Sequence, residues 1–393
     1  MKIIDRAKEF TRAREVMAAG IYPYFRSIDS DQDTEVIIDG KSVLMMGSNN
    51  YLGLTNHPEV KQAAKDAIDR FGTGCAGSRF LNGTLRIHLE LEDMLAEFMG
   101  VEKVLVFTTG HHVNLGVIDT LVTRGDYVIV DSQDHASIVD GTRLTYAAKR
   151  KFAHNDMASL REVLEALPID KIKFIVVDGI FSMEGDIAKL DEICKLADEF
   201  NADVMVDDAH AIGIIGPHGE GTAAHFGVQD KVTLTGGTFS KSLASVGGFV
   251  GGSEEIIHYL KHHSRCLIFT ASPSPANVGA VMKALEIMQR EPERREKLWA
   301  NTHHLHSALH TYNFNTLTSE TPIVPVVVGD DMTSFTFCHR LQEEGVFVNP
   351  VVSPAVDPGE ALIRLSLMAT HTFDQIDRAV DAIVKVAREL RVL

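Results

Sequence analysis

Short apolar runs and helical patterns alternate through the middle of the chain. Five runs rich in β-branched or apolar residues are typical of buried strands: 103–107, 127–130, 174–177, 203–206 and 232–235. Helical patterns at 90–98, 160–167 and 190–200 separate several of these runs. Alternating strands and helices usually build a parallel sheet that is buried on both faces. The pattern therefore predicts an α/β protein with a mostly parallel sheet.

The two ends of the chain have a different pattern. Residues 2–19 predict one charged amphipathic helix that stops at Gly20, and Asp39-Gly40 between two alternating runs predicts a β-hairpin. A helix is predicted from His57 to Phe71, with Pro58 in its first turn. Beyond Pro292 the pattern predicts helices at 293–310 and 373–390 and strands at 321–328, 346–350 and 361–367. We expect an N-terminal helix and hairpin segment (1–45), a large domain (46–289) and a smaller C-terminal α/β domain (290–393).

Composition narrows the classes of protein that remain. The chain has 393 residues, 45% hydrophobic content and a formal net charge of −16. These are globular values, and the acidic charge argues against a broad nucleic-acid surface or adsorption to an anionic membrane. Four cysteines without CxxC spacing indicate free thiols in a reducing compartment. With no signal peptide and no apolar run of membrane-spanning length in the sequence, we expect a cytoplasmic protein.

A glycine-rich segment after the last strand of the large domain carries the sharpest local signal. Lys241 follows Thr238 and Ser240 among small residues, and more glycines come soon after it. A buried lysine is deprotonated readily and can form a Schiff base, while the two hydroxyls could reach a phosphate. An exposed loop lysine would give the same local pattern, so this segment alone leaves both interpretations open.

Asp207 and His210 follow the strand at 203–206. Ligands of open α/β sheets bind outside the carboxyl ends of the strands. A carboxylate there can pair with the protonated nitrogen of a pyridine ring, and His210 could reach a ring hydroxyl. The alternative is a carboxylate that caps the next helix.

Two more strand ends carry candidate groups. His135 follows the strand at 127–130 and could stack on a flat heterocycle, although a single histidine is more often structural. Gly110 and His111 follow the strand at 103–107 and precede a helix, whose start would suit a phosphate. An ordinary capped loop is the alternative there.

Several familiar motifs are absent or out of place. The GxGxxG match at 72–77 follows a helical pattern, whereas a dinucleotide fingerprint must follow a strand, so we expect a glycine loop near the substrate. The sequence has no GxxxxGK[ST] loop, no GxSxG elbow and no HExxH spacing. We therefore expect neither a Walker nucleotide site, nor a serine hydrolase, nor a metal centre.

Taken together, the ordered residues Gly110, His135, Asp207, His210 and Lys241 resemble the fold-type I pyridoxal 5′-phosphate (PLP) enzymes. More narrowly, the chain is similar to the α-oxoamine synthases, which condense an amino acid with an acyl-CoA and release carbon dioxide. The resemblance runs from 48–54 (SNNYLGL) to 364–372 (RLSLMATHT) and includes 72–84 (GTGCAGSRFLNGT). It implies an aspartate-aminotransferase-like fold with a large PLP-binding domain and a homodimer whose active site lies at the subunit interface.

The resemblance also implies a role for each site residue. Lys241 would hold PLP as a Schiff base and later move the α-proton, Asp207 would hold the pyridine nitrogen, His210 would contact the ring oxygen, and His135 would stack on the ring. The groups implied around the cofactor phosphate and ring are Gly110, His111, Thr238, Ser240 and Ser182, with Thr270 and Ala271 from the partner subunit. The implied substrate contacts are Asn49, His135 and Arg364. The family usually has an aromatic residue where His111 stands, so a side-chain role for His111 stays open.

Within the family, the motifs imply L-serine and a long-chain acyl-CoA as substrates, giving 3-ketosphinganine, CoA and carbon dioxide. The alternatives are an 8-amino-7-oxononanoate synthase or a 2-amino-3-ketobutyrate CoA ligase acting on alanine or glycine, an aminotransferase, or a subunit without catalysis. The filled catalytic positions argue against the last of these. We expect no nucleic-acid partner and at most weak peripheral contact with a membrane.

Overall fold

The computed structural model describes residues 2–393, which form two compact units. One unit contains residues 49–182 and 186–297, and the other contains residues up to 48, residues 183–185 and residues 298–393. The domain division expected from the sequence stays a prediction.

The strands are β1 (Glu35–Ile38), β2 (Lys41–Met45), β3 (Lys103–Phe107), β4 (Tyr127–Asp131), β5 (Ala148–Phe152), β6 (Lys173–Asp178), β7 (Asp203–Asp207), β8 (Leu234–Thr238), β9 (Gly248–Gly252), β10 (Ile323–Gly329), β11 (Val346–Phe347), β12 (Asn349–Val351) and β13 (Ala361–Ser366). The helices are α1 (Ile3–Glu9), α2 (Arg12–Ala18), α3 (Pro58–Phe71), α4 (Arg86–Met99), α5 (Gly110–Leu121), α6 (Ala136–Leu144), α7 (Met157–Glu165), α8 (Leu190–Phe200), α9 (Thr222–Phe226), α10 (Glu254–His263), α11 (Arg265–Ile268), α12 (Pro275–Arg290), α13 (Glu293–Thr311), α14 (Asp331–Glu343) and α15 (Phe373–Glu389).

A seven-stranded sheet organises the first unit, with the order β3-β9-β8-β7-β6-β4-β5. Neighbouring strands are parallel except where β9 runs antiparallel to both β3 and β8. The predicted α/β class with a mostly parallel sheet is therefore confirmed.

Both faces of this sheet are buried, and the strand residues alternate between two cores. Val128, Val130 and Val176 pack into one core, whereas Ile129 and Ile175 pack into the other. Successive side chains of a strand point to opposite faces, so a strand covered by helices on both sides has no polar face. This explains the continuous apolar runs in the sequence.

Two strands of the large sheet were not predicted. β5 has the sequence AKRKF, and its residues 149–151 are exposed because β5 is an edge strand, where basic side chains discourage pairing with another chain. β9 has the sequence GFVGG. Its glycines are required by close approach, since a Cβ on Gly248 would lie 2.7 Å from the Cα of Gly110.

The second unit contains two three-stranded sheets. The predicted hairpin is confirmed as β1 and β2, with Asp39 and Gly40 at φ values of 53° and 74° in the turn, and β11 pairs parallel to β2. The other sheet is antiparallel with the order β10-β13-β12. The strand predicted at 346–350 is in fact split into β11 and β12.

The single helix predicted at 2–19 is wrong, because the segment forms two short helices, α1 and α2. The backbone of Phe10 is extended between them, and α1 buries no side chain. A short helix without a buried apolar face gains little stability from tertiary packing. Interrupting it at Phe10 therefore costs little free energy. None of the helices among residues 2–393 has the length and apolarity needed to span a bilayer.

The alternation within β6 yields a stability prediction. We expect Ile175→Ala to lower the free energy of unfolding by about 2–5 kcal/mol, because Ile175 is fully buried and the truncation leaves a cavity. Ile169→Ala, at a 62% exposed position before the same strand, should change it by less than about 0.5 kcal/mol. Chemical denaturation of both variants checks the difference, and equal effects would contradict the burial of Ile175 in its core.

Candidate active site

A cavity of about 330 Å³ lies at the carboxyl ends of the parallel strands. This volume is within the range of small-molecule sites. Its lining combines most of the sequence-predicted residues with several that were not predicted. The lining residues are Thr109, Gly110, His111, His135, Ser137, Asp178, Asp207, Ala209, His210, Thr238, Ser240, Lys241, Val246 and Gly247.

The strand order explains why this edge of the sheet is open. The chain passes from β4 outward to β5 but from β6 toward β7 in the opposite direction, so the connections diverge between β4 and β6. Ligands of open α/β sheets bind at such a switch point. His135 follows β4 and Asp178 ends β6, which places both residues at this point.

Asp207 is held in one orientation by two donors. The amide Nδ2 of Asn114 donates to Oδ2 over 2.6 Å, and the backbone N–H of Ala209 donates to Oδ1 over 3.0 Å. Nδ2 of Asn114 also donates to Oγ of Ser137 over 2.8 Å. Sequence reasoning missed Asn114, although its position four residues after Gly110, one helical turn into α5, was a usable signal.

The start of α5 and the end of β8 meet at one corner of the cavity. The hydroxyl of Thr109 caps α5 by accepting from the backbone N–H of His112. A Cβ on Gly110 would lie 2.8 Å from Cβ of Thr238, so the helix start and the strand end are in close contact. Oγ1 of Thr238 lies 3.0 Å from both Oγ of Ser240 and the carbonyl oxygen of Gly247. Helix N–H groups beside hydroxyls are well suited to bind an anion.

His135 caps α6 and is fixed at both its backbone and its side chain. Its backbone N–H donates to Oδ2 of Asp178 over 2.7 Å, and its Nδ1 accepts from the backbone N–H of Ser137. Burial lowers the pKa of the His135 imidazole below its ordinary value, although the charge of Asp207 acts in the opposite direction. The ring is therefore neutral at pH 7, which suits stacking on a heterocycle.

Asp178 lines the cavity as well, although the sequence did not predict it as a site residue. Burial and then the charge of Asp207 raise the pKa of Asp178 well above its ordinary value. The raised pKa disfavours a second negative charge beside that of Asp207.

Lys241 and His210 also line the cavity, on the segments that follow β8 and β7. Nδ1 of His210 lies 2.7 Å from the hydroxyl of Tyr51, which in turn lies 3.3 Å from Oδ1 of Asn49. Tyr51 is fully buried. A buried phenol in this position fixes the plane of the His210 ring, and sequence reasoning gave Tyr51 no role.

Five sequence-predicted site residues lie outside this lining: Ser182, Asn49, Thr270, Ala271 and Arg364. Ala271 pairs with Ser78 in a β-bridge, and its carbonyl oxygen accepts from the hydroxyl of Thr108 over 2.7 Å. Arg364 belongs to the other unit, where it is buried on β13 and donates to Oγ of Ser366 over 2.8 Å. The roles expected for these five residues stay predictions.

One group of side chains has the spacing of metal ligands, namely His57, Glu59 and Glu291. Arg290 donates to the carboxylates of both glutamates, and Arg294 donates to Glu291. The arginines already supply the cations that these carboxylates need, so we assign no metal ion to this group.

Comparison with known proteins gives similarity over nearly the whole chain. The model of the family aminotransferase class I and II matches residues 41–383. Serine palmitoyltransferase from Sphingobacterium spiritivorum is 54% identical over 391 residues, covering 100% of this chain and 98% of that protein. 8-Amino-7-oxononanoate synthase from Bacillus pumilus is 42% identical over 390 residues, covering 98% of this chain and 100% of that protein. A solved structure of a serine palmitoyltransferase variant from S. paucimobilis, with a bound PLP–myriocin aldimine, matches with a TM-score of 0.97 and 34% identity, covering 100% of both chains.

The residues of the cavity fit PLP, the cofactor implied by the sequence resemblance. The corner formed by Gly110, Thr238 and Ser240 suits the phosphate, and the close contact at Gly110 leaves no room for a side chain there. The fixed carboxylate of Asp207 suits a protonated ring nitrogen, and the amine of Lys241 suits the carbonyl carbon.

The Asn114–Asp207 hydrogen bond generates a prediction for cofactor affinity. We expect Asn114→Ala to raise the PLP dissociation constant roughly tenfold, because a charged, buried hydrogen bond is lost. Absorbance titration of the apoprotein measures this constant. Asn301→Ala is the matched control, since Asn301 is equally buried but donates to the carbonyl oxygens of Met368 and His371 in the other unit. An equal loss of affinity in both variants would contradict the assignment.

Proposed function

The chain belongs to the aminotransferase class I and II family, and we propose that it is a PLP-dependent acyltransferase that condenses L-serine with a long-chain acyl-CoA such as palmitoyl-CoA. The products would be 3-ketosphinganine, CoA and carbon dioxide, as in the first step of sphingolipid synthesis. The observation that carries this proposal is the 54% identity, over the full chain, to a protein named serine palmitoyltransferase.

The proposed reaction makes one carbon–carbon bond, breaks one carbon–sulfur bond and one carbon–carbon bond, and returns a proton to the serine Cα after the carboxylate is lost. The Cα of serine bonds to the acyl carbonyl carbon, and the thioester C–S bond breaks to release the CoA thiol. The carboxylate carbon of serine then leaves as carbon dioxide. PLP supplies an electron sink that stabilises negative charge on the serine Cα.

The cavity residues divide the remaining work among themselves. Lys241 would bind the cofactor carbonyl and then move the α-proton at its Nζ, a contribution of roughly 10²–10⁴-fold for a placed general base. Asp207, fixed by Asn114 and Ala209, would keep the ring nitrogen protonated. His210 would contact the ring oxygen, and the neutral ring of His135 would stack on the cofactor.

Substrate contacts are proposed for three residues, His135, Asn49 and Arg364, and cofactor contacts for Ser182 and the residues around the phosphate. His135 and Asn49 would contact the serine moiety, and Ser182 would lie near the ring. Arg364 would engage the serine carboxylate, because a guanidinium matches a carboxylate with two parallel hydrogen bonds. Gly110, His111, Thr238 and Ser240 would surround the cofactor phosphate.

We also propose a homodimer in which Thr270 and Ala271 approach the phosphate of the partner subunit. The segment around them presents large exposed apolar side chains, with Phe269 73% and Leu81 75% exposed. Two contacts hold this segment against the glycine loop at 72–84. Ser272 of the segment donates a hydrogen bond to Gly77 of the loop, and Ala271 of the segment forms a β-bridge with Ser78 of the loop. Exposed apolar residues on one ordered surface favour burial against a second copy. We place the enzyme in the cytoplasm, with at most weak peripheral contact with membranes.

The second candidate is an 8-amino-7-oxononanoate synthase acting on alanine. The 42% identity to such a protein favours it over the remaining members of the family. Both candidate reactions would use the same cavity residues of this chain, so they differ in substrate and not in the chemistry of the cofactor.

The substrate proposal is tested by measuring CoA release with each pairing of serine, alanine or glycine with palmitoyl-CoA or a shorter acyl-CoA. We expect serine with palmitoyl-CoA to exceed every other pairing by at least about tenfold, because a site that binds the serine hydroxyl discriminates against amino acids without it. Lys241→Ala should abolish both the release and the Schiff-base absorbance. A preference for alanine with a shorter acyl-CoA would establish the second candidate instead.

The dimer proposal is tested by sedimentation velocity. We expect Phe269→Glu to shift the protein from dimer toward monomer, because a charge would have to be buried at the interface. Ile169→Glu, at another exposed apolar position, should leave the dimer intact. A wild-type monomer, or a dimer that persists in Phe269→Glu, would overturn the proposal.

A further inference from the structure

His154 lies between two buried carboxylates in the loop that joins β5 to α7. Its Nδ1 is 3.0 Å from Oδ1 of Asp131, and its Nε2 is 3.2 Å from Oδ2 of Asp186. The first contact is an aligned hydrogen bond, and the second is an ion pair without hydrogen-bond alignment. An imidazole carries a hydrogen on both nitrogens only when it is protonated. The arrangement is therefore that of a cation between two anions.

The electrostatics of the three groups agree with this geometry. Burial disfavours the charge on His154, but the close contacts with the negative charges of Asp131 and Asp186 outweigh burial and raise its pKa to about 10. His154 then stays positive throughout the neutral range. Asp131 and Asp186 are 2% and 6% exposed, so water does not solvate their negative charges. A nearby cation stabilises those charges instead.

Asn155 strengthens the same contacts from the neighbouring position. Its backbone N–H donates to Oδ2 of Asp131 over 2.7 Å, and its side-chain Nδ2 donates to Oδ2 of Asp186 over 3.0 Å. The residue has a φ of 51°, a left-handed conformation that asparagine tolerates better than most residues. The His154 ring also makes an edge-to-face contact with Phe181, with ring centroids 4.5 Å apart.

A chain of hydrogen bonds connects Asp131 to the cavity residue His135. Its carboxylate accepts from the backbone N–H of Gln133, and its own backbone N–H donates to the carboxylate of Asp134. The other oxygen of Asp134 accepts from the backbone N–H of Asp178, whose carboxylate holds the backbone of His135. This network fixes the turn that presents His135.

Asp186 lies at the base of the loop that carries Ser182. The backbone N–H of Phe181 donates to the carbonyl oxygen of Asp186 over 3.0 Å, and Ile180 and Ile187 form a β-bridge. His154 therefore contacts one carboxylate at the end of β4, before the turn that carries His135, and one in the loop that carries Ser182.

We propose that His154 is a positioning residue, whose charge holds the turn of His135 and the loop of Ser182 together so that the cofactor ring is bound between fixed groups. The inference rests on the proposed function only where it concerns the kinetics with serine. The expected effect on PLP binding does not depend on which substrates the enzyme uses. Supporting shells of this kind commonly change affinity or activity by about 10- to 100-fold when they are removed.

The test compares three variants by PLP titration, CoA-release kinetics and thermal melting. We expect His154→Gln to raise the PLP dissociation constant about tenfold and to raise the KM for serine, because it leaves two buried carboxylates without a cation. Asp131→Asn/His154→Gln should lose only about threefold in PLP affinity, because removing one carboxylate leaves less unpaired charge. His304→Gln, which breaks a half-exposed pair with Asp377, is the control and should not change either constant.

The outcomes separate a positioning role from a structural one. If His154→Gln lowers the melting temperature but leaves the PLP dissociation constant within about twofold of wild type, the proposal is overturned. If that variant is insoluble, the double variant replaces it, and wild-type PLP affinity in the double variant overturns the proposal equally. If the wild-type enzyme releases no CoA from serine and palmitoyl-CoA, the proposed function fails while the PLP titrations still decide the role of His154.

Discussion

Buried carboxylates at the ends of parallel strands impose the constraint on which the rest of the site depends. Asp131, Asp178 and Asp207 are the last residues of β4, β6 and β7, and all three are buried. A desolvated carboxylate must find donors or keep a proton. The structure meets this requirement with Asn114 and Ala209 at Asp207, with His154 and Asn155 at Asp131, and with a raised pKa at Asp178.

Meeting that constraint also orders the groups that face the cavity. The donors to these carboxylates lie on α5, on the loop between β5 and α7 and on the turn before α6, so each hydrogen bond fixes a second element against the sheet. His135 and Asp207 are thereby held without help from a ligand. A preorganised site of this kind loses little entropy when a flat cofactor binds.

The sequence predicted a strand or helix well where the element's own residues determine it, and poorly where neighbouring strands determine it. Strand β3 and helix α8 were predicted with the bounds they have, because their apolar patterns reflect burial on a sheet face or one helix stripe. β5 and β9 were missed for the opposite reason. Three of the five residues in β5 are basic, and three of the five in β9 are glycine. Their ladders form because β4, or β3 and β8, lie alongside. The N-terminal helix was predicted too long, since its periodicity did not reveal that α1 buries none of its side chains.

For the site, the sequence by itself determined which polar groups follow the strands. The family resemblance added the roles of Lys241 and His210 and the identity of the cofactor. Asp207 directly follows an apolar run, and His210 and Lys241 come a few residues after one. The sequence therefore places all three at the open edge of an α/β sheet. Tertiary structure alone decided their partners. Asn114 and Asp207 are 93 positions apart, and His154 is 23 and 32 positions from its two carboxylates. Such pairs are set by the spatial order of the strands, which neither hydrophobic period nor local propensity specifies.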